Sequence, residues 1–363
     1  MTPRQSFARP AWGEAYAHLA EADRGEALPP DRVQDLAVAA YLTGRETESF
    51  DAWARAHRAY LERGDLPAAA RCAYWIVSAL LERGDHAQAG GWLARAQRLL
   101  DEERLDCVER GYLLVPDALR RLAAGDAAGG RDVFHQAAET GRRFHDADLV
   151  ALARHGEGRA LIRLGNAAAG VALLDEVMVA VTAAEVSPIV AGTVYCSVIS
   201  ACHEIFDLKR AHEWTSALTR WCQSQPDLVP FRGQCLVRRA EIMLLHGEWR
   251  DALDEAIRAC HRLSEPPDQP GLGAAYYQRA DLHRLRGEYA LAEEAYGHAH
   301  LCGRTPEPGL AWLRLAQGKA DVAAAALRRA LDEARERRAR PPLLWAYADA
   351  LLASGDVAGA RAA

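Results

Sequence analysis

The stretch Tyr276-Tyr-Gln-Arg-Ala280-Asp-Leu-His-Arg-Leu-Arg-Gly287-Glu288-Tyr289-Ala-Leu-Ala292-Glu-Glu-Ala-Tyr296-Gly-His-Ala299 holds the pattern that decides the fold. At its centre is a short corner, Gly287-Glu288. The same corner recurs at Gly44-Arg45, Gly84-Asp85, Gly125-Asp126, Gly165-Asn166, Phe206-Asp207, Gly247-Glu248, Gly318-Lys319 and Gly355-Asp356. Successive steps are 40, 41, 40, 41, 41, 40, 31 and 37 residues, and eight of the nine corners carry glycine in a chain with only 28. Glycine takes the left-handed position that ends a helix. An Asp, Asn or Glu behind it suits the N-terminus of the next helix, as a cap or as a charge.

Residue size repeats in step with the corners. Seven positions before them stand Ala37, Val77, Ala118, Gly158, Ile199, Ala240, Ala280, Ala311 and Ala348. Five after stand Ser49, Ala89, Gly130, Gly170, Ala211, Ala252, Ala292, Ala323 and Ala360, and twelve after, a small or aliphatic residue from Ala56 to Ala330. Small residues on both helices let two backbones approach. Larger ones nine after the corner, Trp53, Leu93, Phe134, Leu174 and Tyr296, fill the space towards the next pair. The pattern predicts antiparallel helix pairs stacked on copies of themselves, an all-α solenoid.

Composition narrows the function. Half of the residues are hydrophobic and 26% are charged, too apolar for a disordered chain. Lys+Arg 44 against Asp+Glu 50 gives a net charge of −6, a poor basis for binding nucleic acid through the chain's own field. The eight cysteines form no Cys-x-x-Cys pair, which argues against a zinc site and a disulfide framework and fits a reducing cytoplasm. The N-terminus lacks the apolar run of a signal peptide. Val186 to Cys202 carries no charge, but Pro188 and Gly192 interrupt it and it is short for a membrane span, so it reads as a buried helix.

The corner, with a small residue seven before, Ala five and twelve after and an aromatic between, resembles the tetratricopeptide repeat. The resemblance implies a right-handed solenoid of antiparallel helix pairs, here with a pitch of about 40 residues instead of 34. On this reading a partial repeat covers 1–28. Repeats run roughly over 30–63, 66–104, 107–144, 147–185, 188–224, 229–264, 271–303 and 307–338, with a truncated repeat at 341–363. The second helix of that last repeat has barely begun, and Leu351 and Leu352 are expected to face solvent. A fragment of a longer chain, or a homodimer that caps this end, accounts for that.

A narrower likeness rests on Gly90 to Leu100, Leu105 to Leu114, Leu149 to Gly165 and Tyr195 to Ala211. These segments resemble the repeat region of actinobacterial LuxR-type, MalT-like transcriptional regulators. In that family a helix-turn-helix domain follows the repeats, and some members carry an ATPase before them. Here no Gly-x₄-Gly-Lys-[Ser/Thr] loop and no helix-turn-helix is present, so DNA binding is implied only through a C-terminal domain absent from this chain.

The resemblance further implies that side chains 13, 10, 6, 3 and 2 residues before each corner line a concave groove. The candidate site is then Tyr112, His155, Arg159, Cys196, Ser200, His203, Glu204, Gln234, Glu241, Tyr277, Asp281 and Arg284. Such polar and aromatic lining suits a small-molecule effector or a peptide. Charged residues that pair across repeats on a solvated face account for the same set without a ligand. Neither a metal nor a cofactor is expected: His203-Glu204 and His298-Ala-His300 lack the three- or four-residue helical spacing of ligands. Trp214, Trp221 and Trp249 read as packing residues, and Arg335 to Arg340 as a solvated helix end. No Gly-x-Ser-x-Gly, His-Glu-x-x-His or strand-borne glycine loop is present, so a catalytic role is not expected. Three functions remain open: effector sensor, peptide scaffold and oligomerisation arm.

Overall fold

The computed structural model describes residues 11–25, 27–225, 227–245, 247–265, 271–334 and 340–363, with the side chains of 232–235 outside that set. Among the described residues there are nineteen helices and no strand. The chain divides into two units, Met1–Phe231 and Arg232–Ala363.

The first unit opens with α1 (Trp12–Gly25). Five helix pairs follow: α2 (Pro30–Leu42) with α3 (Glu46–Glu62), α4 (Leu66–Arg83) with α5 (His86–Glu102), and α6 (Glu109–Ala123) with α7 (Ala127–Arg143). The last two are α8 (Ala147–Arg163) with α9 (Ala167–Thr182), and α10 (Pro188–Glu204) with α11 (Leu208–Gln223). Partners pack on each other, and first helices also touch the next first helix along α4, α6, α8 and α10. These helices therefore form an inner layer.

The second unit repeats the plan. It contains α12 (Pro230–Leu245), whose first turn holds the unit boundary, then α13 (Trp249–Leu263), α14 (Leu272–Leu285) and α15 (Tyr289–Leu301). Next come α16 (Gly309–Ala316), α17 (Ala320–Glu333), α18 (Arg340–Ala353) and α19 (Val357–Ala362). Here α14, α16 and α18 touch in succession.

All eight corner glycines take positive φ, from 77° to 91°, and Phe206 takes 58°. The corner capping is uneven. Asp126, Asn166, Asp207 and Asp356 each accept from the backbone N–H three residues on, whereas Asp85, Glu248 and Glu288 form no side-chain cap. The small positions are the helix crossings. A Cβ on Gly170 would stand 2.6 Å from the carbonyl oxygen of Gly158, so α8 and α9 can meet this closely only with glycine there. Ser49, at the same place on α3, donates its hydroxyl to the Ala37 carbonyl on α2 at 2.8 Å. Trp53, Phe134, Leu174 and Tyr296 are at most 4% exposed. Burial of each such side chain stabilises by roughly 1.5–3 kcal/mol.

The segment around Val186–Cys202 is the buried α10, packed against α8, α9 and α11. Among the described residues no helix is long and apolar enough to cross a membrane. The expectation for the last repeat needs correction at one position: Leu351 turns inward and is 8% exposed, while Leu352 is 55% exposed. The turns between pairs carry a second set of positive φ values, at Gly64, Arg104, His145, Ala184 and Gly303. Residues 335–339 of the basic run lie outside the described residues; Arg340 donates to the Leu331 carbonyl.

Candidate partner-binding groove

In the first unit the inner face carries a tie across three repeats. Arg71 on α4 donates to Glu109 at 3.0 Å and to Asp146 at 3.2 Å, and its guanidinium lies 3.6 Å from the Tyr112 ring centroid. The fully buried Tyr112 donates its hydroxyl to Asp146 Oδ1 at 2.8 Å, and the same oxygen caps α8 by accepting from Leu149 N. Burial drives the Tyr112 phenol far above its usual range, so it stays a donor. Tyr74 packs edge-on against Tyr112.

Further along the same face, His155 is 5% exposed and donates Nδ1–H to the Ala151 carbonyl, one turn back, at 3.1 Å. Burial lowers its pKa to about 4, and the neighbouring Arg159 adds to this. It is a neutral core histidine at neutral pH. Arg159 reaches from α8 to α10, 3.4 Å from both Ser197 Oγ and Glu204 Oε1. Cys196, Ser200 and His203 are half-buried on α10, and Glu204 is exposed. Tyr41 on α2 comes close enough to this set to feel it. Its phenol is held well above the usual range first by desolvation, then by Glu82 of α4 and Cys196 of α10.

In the second unit, Glu241 accepts from Arg238 on its own helix at 2.8 Å. The Gln234 side chain lies outside the described residues. Tyr277, Asp281 and Arg284 come together. Arg284 pairs with Asp281 at 3.0 Å, the buried Tyr296 donates to Asp281 Oδ1 at 2.6 Å, and Gly309 N donates to the Tyr277 hydroxyl at 3.0 Å. Arg284 also stands over Trp312 and Arg304 over Tyr277. These bonds join α14 to α15 and to the start of α16. Sequence reasoning missed the carboxylate of α13 that is most deeply buried: Glu255, 1% exposed, accepts from Arg239 and Arg258.

Apart from Gln234, whose side chain is outside the described residues, the candidates fall into two sets. Tyr112, His155, Glu241, Tyr277, Asp281 and Arg284 are bonded on other parts of the protein, away from the group on α10. Arg159, Cys196, Ser200, His203 and Glu204 lie together on α8 and α10, in the first unit, with solvent access. Sequence reasoning also missed Asp146, whereas the offset of thirteen does select Arg71. Arg71 and Tyr112 both stand thirteen residues before a corner, which was the available signal. A cavity of about 410 Å³ lies elsewhere, between α7, α8 and α9, lined by Arg142, His145, Arg154, Glu176 and Glu185 among others. Among the described residues no three His, Cys, Asp or Glu side chains are grouped to hold a metal ion.

This architecture is that of a tetratricopeptide-type α-solenoid. A chain of the APC/C hetero-tetramer Cut9–Hcn1 is similar over 92% of this chain and 58% of its own, with 14% identity and a TM-score of 0.59. Yeast Tom70 is similar over 91% of this chain and 65% of its own, with 15% identity and a TM-score of 0.54. This chain therefore spans about three fifths of their length. No family model and no curated protein matches the sequence.

Proposed function

We propose that this chain is a non-catalytic, partner-binding helical-repeat scaffold that holds a peptide segment of another protein on the inner face of its first helices. The observation that carries the reading is the adjoining group Arg159, Ser200, His203 and Glu204. They are polar and presented side by side by α8 and α10, with Arg159 bridging to Ser197 and Glu204 and with Glu204 exposed. Extended or helical peptides bind grooves of this kind through a few such groups. The solved structures of the same fold shown above include a multi-subunit assembly, which agrees with an interaction role.

A second reading is favoured by the likeness of Leu149–Gly165 and Tyr195–Ala211 to LuxR-type regulators. In it the same face receives a small effector, and the signal passes to a DNA-binding domain elsewhere in a cytoplasmic regulator. The two are separated by thermal unfolding of this chain against a peptide library and a metabolite pool. A peptide that raises the midpoint, with the rise abolished in Arg159→Glu, supports the scaffold. A metabolite with the same dependence supports the sensor. A midpoint moved by nothing, or moved equally in the variant, contradicts the inner-face site.

A further inference from the structure

Stacked repeats touch their neighbours only. In the first unit, Gln225 and residues 227–231 break that rule by returning to the beginning of the chain. Trp12 Nε1 donates to Gln225 Oε1 at 3.0 Å across 213 residues of sequence. Gly13 N donates to Asp227 Oδ2 at 3.3 Å, and Val229 N donates to the Leu42 carbonyl at 2.9 Å. Phe231 packs against Tyr41 of α2 and Trp221 of α11, with ring centroids 6.2 and 6.1 Å apart. It also presses on α10 at Gly192, where a Cβ would stand 2.2 Å from its ring. Trp12, Leu42, Gln225, Leu228 and Phe231 are all at most 7% exposed. This junction is sealed, and it joins the first helices of the unit to the last.

We propose that Gln225 and residues 227–231 form a strap that latches the first unit into a closed turn, and that release of the strap is a separate step from unfolding. The reason is the kind of contact on each side. The repeats are held by helix-on-helix packing along their length, with small residues at every crossing. Among the described residues the strap holds α1 and α2 through hydrogen bonds at Trp12, Gly13 and Val229 and an aromatic wedge at Phe231. Breaking those leaves every helix pair intact, and local openings of this type follow the weakest contiguous set of contacts. Latched, α1 and α2 are tied to the strap beside α10 and α11; unlatched, the inner face of α2 to α10 opens sideways to a segment laid along it. That last consequence rests on the inner-face reading above, whereas the latch itself does not.

A Cβ built on Gly13 lies 3.8 Å from that of Asp227, within the range a disulfide requires. The test is the full chain carrying G13C and D227C, oxidised and reduced, with Trp12→Phe as an independent variant that lacks the indole donor. Amide exchange is followed at Val229 and in α4 and α8. The latch predicts that Val229 exchanges at least tenfold faster than the α4 and α8 amides in the unmodified protein. The rate should fall to theirs once the cross-linked peptide is seen by mass spectrometry, and rise in W12F with α4 and α8 unchanged. Failure of the cross-link to form overturns the proposal. So does Val229 exchange that matches the core helices before cross-linking, or W12F speeding all three together. If the latch passes and a peptide found in the thermal screen binds the locked and unlocked forms equally, the latch stands and the inner-face reading falls.

Discussion

Two regions of the molecule tie their repeats with the same chemistry drawn from different places. In the first unit an arginine, a tyrosine and an aspartate stand at residues 71, 112 and 146 and span three repeats. In the second, Asp281, Arg284 and Tyr296 make the same kind of triad within one helix pair, with Trp312 under the arginine. In both, a buried phenol donates to a carboxylate that an arginine neutralises. The difference is reach. The Asp146 carboxylate serves three groups, one of them the start of α8, while Asp281 serves two. A buried polar group is costly once its partner is gone, so the number of groups left orphaned sets the size of each effect.

The comparison is tested most strongly by Asp146→Ala. This change orphans the Tyr112 hydroxyl, weakens the hold on Arg71 and removes the α8 cap, for an expected loss of about 4 kcal/mol in chemical unfolding. Asp146→Asn keeps an acceptor and should lose less than half of that. Asp281→Ala is expected to cost about 2 kcal/mol. Equal losses at the two sites would break the distinction.

His155 gives a pH signature. Its folded pKa, near 4, is below the unfolded value of about 6.5, so the unfolded chain takes up the proton first. The stability that its neutral form contributes is complete above pH 6.5 and is lost as pH falls from there towards 4, by up to about 3 kcal/mol. In His155→Gln this part of the acid dependence should vanish, as read from the difference between the two pH–stability curves.

The smallest effect concerns the odd corner. Phe206 holds a φ of 58° that side chains other than glycine adopt at a cost of roughly 1–2 kcal/mol, and its ring is 81% exposed. Phe206→Gly should raise stability by about 1 kcal/mol. A loss would show that the ring contributes more to the fold than its exposure indicates.

Much of this was legible in the residues. The corners and crossings could be read because glycine and alanine are demanded there by backbone direction and by close approach, as at Gly158 and Gly170. The turns at Arg104, His145 and Ala184 were not, because residues with a side chain took the left-handed conformation and left no mark in composition. At the candidate site, the register placed Tyr112, Arg159 and His203 on one face but could not separate a buried tie, as at Tyr112, from a group nearer solvent, as at Arg159. That depends on partners such as Asp146, which lie outside the offsets. The return of Gln225 and residues 227–231 to Trp12 and Leu42 has no periodic signal at all. It is a contact between distant points, and a repeat pattern records only what recurs.

Residue-resolved hydrogen exchange of the full chain tests the stacked-pair account most directly. The account predicts protected helical blocks interrupted by fast amides in the first helical turn after each of the nine corners, from Gly44 to Gly355, at the spacing read from the sequence. Protection running unbroken through those corners, or blocks whose edges fall at unrelated positions, would contradict it.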